Sequence, residues 1–68
     1  MIEWVVISAE EARSILSRIR WESYTHYVPN EMCFGTEYTD IETGIPVIQT
    51  RVYEYEDECV HYINGELL

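Results

Sequence analysis

Hydrophobic and polar residues follow two different periods along this chain. Ile2 to Ile7 (IEWVVI) is β-branched and aromatic, as a strand requires. Ser8 then stands at a helix N-cap position with Glu11 three residues on, the spacing of a reciprocal capping box. From Ala9 onward Ala12, Ile15, Leu16 and Ile19 fall at i, i+3, i+4 and i+7, while Glu10, Arg13, Ser14, Ser17 and Arg18 take the other side. That pattern predicts an amphipathic helix. Glu10 and Glu11 in its first turn and Arg18 and Arg20 near its last complement the helix dipole. The helix is expected to stop near Glu22 or Ser23, because Tyr24, Thr25, Tyr27 and Val28 are weaker helix formers and Pro29-Asn30 follows.

Beyond Asn30 the period changes to two. Glu31 to Asp40 and Val47 to Glu56 read as strands, joined by Ile41 to Pro46, a hairpin connection in which Gly44 is free to take positive φ. Glu56-Asp57-Glu58 turns the chain into a strand from Cys59 to Ile63. Asn64-Gly65 is a type I′ turn signal that lets Glu66 to Leu68 pair back as a stub. The expected architecture is α+β in two layers: one amphipathic helix on a mainly antiparallel sheet of three to four strands, in the order β-α-β-β-β. Sixty-eight residues allow a single domain, 1–68, which buries only about 60% of the surface its unfolded chain exposes. Its stability is then a few kcal/mol, by the general behaviour of ~70-residue domains.

Composition excludes a disordered acidic tail, since 47% of the residues are hydrophobic. The longest apolar run near the start, Trp4 to Ile7, is far short of the ~20 residues that a bilayer needs, so no membrane partner is expected. Glu3 sits where a secretory signal carries positive charge, and no apolar stretch follows it. The expected compartment is cytoplasmic. Cys33 and Cys59 are able to form one bridge, but a lone pair without secretory context reads as two reduced thiols.

Charge changes the picture most. Thirteen Asp and Glu stand against four Arg and no Lys, a formal net charge of −9. Residues 1–20 hold Glu3, Glu10 and Glu11 with three arginines and balance to zero, whereas residues 21–68 hold ten acids and Arg51 alone. Charge of one sign on a small domain opposes folding by self-repulsion and asks for a reason. Solubility is one reason, and acids that keep strand edges from aggregating are another. Glu54, Glu56 and Glu58 stand two apart, as do Asp40 and Glu42. On extended strands alternate residues share a face about 6.6 Å apart, so these residues form a carboxylate ladder comparable with the repeat of nucleic-acid phosphates. Of the nine aromatics, Tyr53, Tyr55 and Tyr62 are expected to pack across strands and Trp4 in the core, with Trp21, Tyr24 and Tyr27 partly exposed where the chain leaves the helix.

Catalytic chemistry finds little support. Asp40-Ile41-Glu42-Thr43-Gly44 resembles the first motif of the DEDD exonucleases, whose Asp-x-Glu helps to bind two metal ions. The chain is much too short for that fold, lacks the second Thr before the Gly, and supplies no later context for the other aspartates. His26, Cys33, Cys59 and His61 lack the C-x₂₋₄-C or H-x₃₋₅-H spacing of zinc sites. A cysteine paired with His61 lacks an orienting third residue, and no phosphate loop is present. No catalytic residue, metal or cofactor is expected, and direct nucleic-acid binding is disfavoured by the charge.

The expected function is a small acidic protein-interaction module, with contact residues Glu54, Glu56, Asp57 and Glu58 first, then Glu37, Asp40 and Glu42, with Tyr53 and Tyr55 adding desolvated area. In size and charge the chain resembles the small inhibitors that phages use against host defence nucleases, the anti-CRISPR and anti-restriction proteins. That resemblance implies an inhibitor, monomeric or homodimeric, that mimics nucleic-acid phosphates and blocks the basic surface of a DNA- or RNA-handling protein. The alternative is an accessory or regulatory subunit that binds a partner through its aromatic surface, its acids serving solubility.

Overall fold

A computed structural model describes all 68 residues, Met1 to Leu68. Strand β1 (Trp4–Ile7) runs directly into helix α1 (Ala9–Leu16), followed by β2 (Trp21–Val28), a 3₁₀ turn (Pro29–Glu31), β3 (Cys33–Asp40), β4 (Pro46–Tyr53), β5 (Cys59–Asn64) and a second 3₁₀ turn (Gly65–Leu67). The five strands form one antiparallel sheet in the order β1-β5-β4-β3-β2, so β2 to β5 is a meander and β1 closes its far edge. Helix α1 connects the two edge strands across one face. No helix is long and apolar enough to cross a membrane.

The capping box forms as the spacing predicts: the Ser8 hydroxyl accepts from Glu11 N at 3.0 Å, and the Glu11 carboxylate accepts from Ser8 N at 3.0 Å. These bonds to Ser8 hold the Glu11 carboxyl below its usual pKa. At the other end the helix stops well short of what its periodicity suggests. The Ser17 hydroxyl donates to Ser14 O at 2.7 Å, Arg18 Nε donates to the same oxygen, and Ser17 is the C-cap. Serines that bond locally to the backbone compete with helix propagation. Trp21 and Glu22, expected at the end of the helix, instead open a strand that continues through Tyr24 to Val28, paired with β3 over its whole length from Trp21↔Asp40 to Val28↔Cys33. Its aromatic and β-branched residues suit a pleated edge better than a helix.

The α+β class with one helix on an antiparallel sheet holds, with five strands in place of three to four. Other boundaries differ: β1 begins at Trp4 rather than Ile2, and β3 at Cys33 rather than Glu31, which lies in the 3₁₀ turn. The strand expected to reach Glu56 ends at Tyr53, where Glu54 N donates to Met32 O and Glu56 N donates to Tyr53 O, turning the chain out of the ladder. The expected stub Glu66–Leu68 is a 3₁₀ turn instead, capped by the Asn64 carboxamide oxygen, which accepts from Glu66 N at 2.9 Å. The other half of that carboxamide donates to Pro46 O, so the buried Asn64 ties the end of β5 to the start of β4. Gly44 takes φ +73° in the β3–β4 connection, as its place in the hairpin predicts.

Ala12, Val47, Ile48 and Ile63 form the buried core, with Val5, Ile7, Ile15, Leu16, Ile19 and Tyr38 packed around them. Ile48 pairs with Ile63 on one side and Tyr38 on the other, so strand alternation sends all three to the helix face. A register shift between Tyr38 and Thr39 lets Val47 join Ile48 in the same cluster, since a bulge places two consecutive residues opposite one. Trp21 closes the rim, with its ring edge-on to Tyr38 and its indole N–H donating to Leu16 O.

Gly65 has no room for a side chain. Its N–H donates to Glu3 O at 2.7 Å, and a Cβ would stand 2.7 Å from the same oxygen. Gly65→Ala is therefore expected to displace β1 and to cost about 1–3 kcal/mol, read as a lower midpoint in urea unfolding. With so small a core and a net charge of −9, self-repulsion weighs heavily. Raising NaCl from about 0.05 to 0.5 M should raise the thermal midpoint, because the Debye length shrinks. An unchanged midpoint would mean that the acids are already neutralised locally.

Candidate interaction surface

The acids occupy opposite ends of the sheet. Glu54, Glu56, Asp57 and Glu58 lie in the β4–β5 connection, all exposed, beside the Pro29–Glu31 turn that carries Glu31. Asp40 and Glu42 lie at the other end, where β3 passes into the β3–β4 connection, and Asp40 Oδ1 accepts from Glu42 N at 2.8 Å. The seven residue steps of β3 separate these ends by about 23 Å. Glu37 stands between them, half-buried on the sheet face away from the helix, opposite Gln49 and Tyr24. The regular carboxylate ladder does not form, because Glu54 to Glu58 are not extended and Asp40-Glu42 turns on itself. The expected contact set thus divides into an acidic end, Glu31 with Glu54 to Glu58, and a remote pair.

Arg51 is the one cation the sheet supplies at the acidic end. It forms a salt bridge to Glu31, and its Nε donates to Gln49 Oε1 at 3.1 Å. The hydrogen bond to Glu31 raises the Arg51 pKa above its usual value. Glu54, Glu56, Asp57 and Glu58 form no salt bridge. Below them on the open face, Asn30, Glu31, Met32, Tyr53, Tyr55, Glu56 and Val60 line a depression of about 560 Å³. Tyr53 and Tyr55 meet there with ring centroids 5.6 Å apart. Three of the expected contact residues, Tyr53, Tyr55 and Glu56, are therefore brought together with Glu31, which the spacing argument passed over.

The helix face carries a second feature at the same end. Tyr27, Phe34, Val52 and Cys59 pair in one row across β2, β3, β4 and β5. All are exposed: Tyr27 42%, Phe34 48% and Val52 42%, with Cys59 also open. Helix α1 leaves Tyr27, Phe34 and Val52 open, and at Cys59 only its first residue, Ala9, lines the same pocket. The next row inward, Thr25, Thr36, Thr50 and His61, is polar and internally bonded, Thr25 to Thr36 at 2.9 Å and Thr50 to His61 Nδ1 at 3.0 Å. Sequence reasoning missed Phe34 and Val52, since alternation marks both for the core; the signal that exposes them is the shortness of the helix. Trp21, Tyr24 and Tyr27 are exposed as expected, on β2. Tyr53 and Tyr62 are half-buried, and Trp4 is half-buried at the sheet edge.

Tyr27 links the two features. The Glu54 carboxylate beside its phenol is the main cause of a raised Tyr27 pKa. Burial raises the Tyr62 phenol, with a further contribution from the neighbouring Tyr53. A group whose folded pKa is raised contributes stability that is complete below the unfolded value near 10 and is lost as pH climbs through the folded one.

His26, Cys33, Cys59 and His61 are dispersed, and no three His, Cys, Asp or Glu side chains are placed to hold a metal ion. Both cysteines are free, Cys33 buried and Cys59 exposed, and alternation puts them on opposite faces. No protein-family model, curated protein or solved structure matches the chain.

Ultraviolet titration checks the raised Tyr27 phenol: Tyr27→Phe should remove a transition lying above the ordinary tyrosine range while leaving far-UV circular dichroism unchanged. Arg51→Gln leaves Glu31 without its partner and is expected to cost up to about 1 kcal/mol in urea unfolding. No loss would show the bridge to be fully solvated.

Proposed function

We propose that the protein is an acidic interaction module that occupies the basic nucleic-acid-binding surface of a DNA- or RNA-handling protein. The observation that carries this reading is the gathering of Glu31, Glu54, Glu56, Asp57 and Glu58 at one end of the sheet, around Tyr53 and Tyr55, with Arg51 as the counter-charge. Carboxylates displayed in this way offer acceptors to the Lys and Arg side chains that otherwise hold phosphates. The tyrosines supply rigid area that loses water on contact. The mechanism is occupation: an anionic surface fills the groove and denies it to nucleic acid. Asp40 and Glu42, a strand length away, act as a second contact only on a groove long enough to span both ends. In size and charge this fits the inhibitors that mobile elements direct against CRISPR or restriction nucleases, and a nuclease of that class is the proposed target.

The exposed row Tyr27–Phe34–Val52–Cys59 favours a second reading, an accessory subunit that docks through apolar contact with its acids left in solvent. Salt distinguishes the two. A pull-down from host lysate should recover a basic protein at low salt, release it as salt rises, and release it also to added duplex DNA. Glu54, Glu56 and Glu58 changed together to Gln should leave the circular dichroism spectrum intact and weaken binding more than tenfold, about 1.4 kcal/mol. Wild-type affinity in that triple variant would sink the first reading. Binding that resists salt but falls in Phe34→Ser would establish the second.

A further inference from the structure

Strand β2 is an edge eight residues long, and seven of the eight are exposed. Such an edge presents unpaired N–H and C=O groups, and proteins ordinarily blunt it with Lys, Pro, a bulge or brevity. The other edge, β1, has only four residues. β2 (WESYTHYV) has no Lys or Pro, and its ladder with β3 runs without a register shift. In a chain with thirteen acids it carries one, Glu22.

The strand is complementary to itself. Antiparallel pairing about a two-fold axis normal to the sheet places residues of the same face opposite one another. With Tyr24 on the axis, Glu22 faces His26 of the second copy, Trp21 faces its Tyr27 and Ser23 faces its Thr25. One pair carries opposite charge when His26 is protonated, one is aromatic and one hydrogen-bonds. Centring on Thr25 instead would set Glu22 against Val28, and centring on Ser23 would set Arg20 against His26. The ends match as well. Arg18 and Arg20 precede β2, while Glu31 follows it. The antiparallel arrangement lays the arginine end of each copy against the acidic end of the other.

We propose that β2 is a homodimer interface, pairing with β2 of a second copy to make one continuous ten-stranded sheet with Tyr24 at its centre. The partner is committed by this complementarity of charge and residue type, and by the low acidity of the one long edge. The Glu56 to Glu58 segments of the two copies then lie on opposite sides of the two-fold axis.

Sedimentation equilibrium at roughly 100 µM tests this. The expected mass is twice 8.1 kDa, about 16 kDa. Tyr24→Lys sets two ammonium groups across the axis at a side chain 70% exposed and should give a folded monomer; Val6→Lys, on the other edge, should leave the dimer intact. Glu22→Lys should weaken association at least tenfold, and adding His26→Glu should restore it. In a Cys59→Ser background, Tyr24→Cys should form a disulfide-linked dimer under mild oxidation. A wild-type mass of 8.1 kDa at that concentration would overturn the proposal and leave the edge to a partner of another kind. So would a dimer that withstands Tyr24→Lys while the Tyr24→Cys variant fails to cross-link.

Discussion

A mismatch of lengths governs this molecule. Eight residues of helix extend about 12 Å, whereas eight residues of strand extend about 26 Å. The helix therefore covers one half of one sheet face, and the hydrophobic cluster is made there, with Cys33 buried separately on the opposite face. Ala12 sits against Ile48 and Ile63, and the bulge adds Val47 where the helix can reach it. The remainder of the sheet is stabilised by its ladders and by cross-strand pairs such as Thr25–Thr36 and Tyr27–Phe34. What the helix leaves uncovered is the surface available for recognition.

The same constraint explains the placement of charge. Acids are excluded from the covered half, where burial without partners would be costly, and collect in connections at the sheet ends. The β4–β5 connection holds four of them within five residues, and its start is fixed by the Glu54 N–H on Met32 O and the Glu56 N–H on Tyr53 O. Met32 takes a left-handed conformation, φ 53°, just before β3, so the chain reverses tightly between the 3₁₀ turn and the strand. The left-handed Met32 on one side and the backbone bonds of Glu54 and Glu56 on the other give the acidic end a definite shape.

Much of the fold was legible in the sequence. Ser8 and Glu11 marked the helix start, the i, i+3, i+4 spacing named Ala12, Ile15 and Leu16 as its inner face, and period two located β3, β4 and β5. The helix end was not legible, because the apolar period continues through Ile19 while the stop comes from Ser14 and Ser17 bonding locally, a choice that propensity alone does not decide. Losing that stop hid β2, and with it the exposed row and the long edge. The excess of acids was legible as composition, but their arrangement was not. Spacing of two implies a shared face only while the chain stays extended, and beyond Tyr53 it does not.

Strand β1 has its partner in β5, more than fifty residues away along the chain. The meander from β2 to β5 is built entirely from neighbours in sequence and can assemble early at low entropic cost. The amino-terminal strand and its helix must wait until β5 has been made. Until then the inner surface of Ile48 and Tyr38 lies bare, and the growing polypeptide depends on its own negative charge to keep it from sticking to other chains.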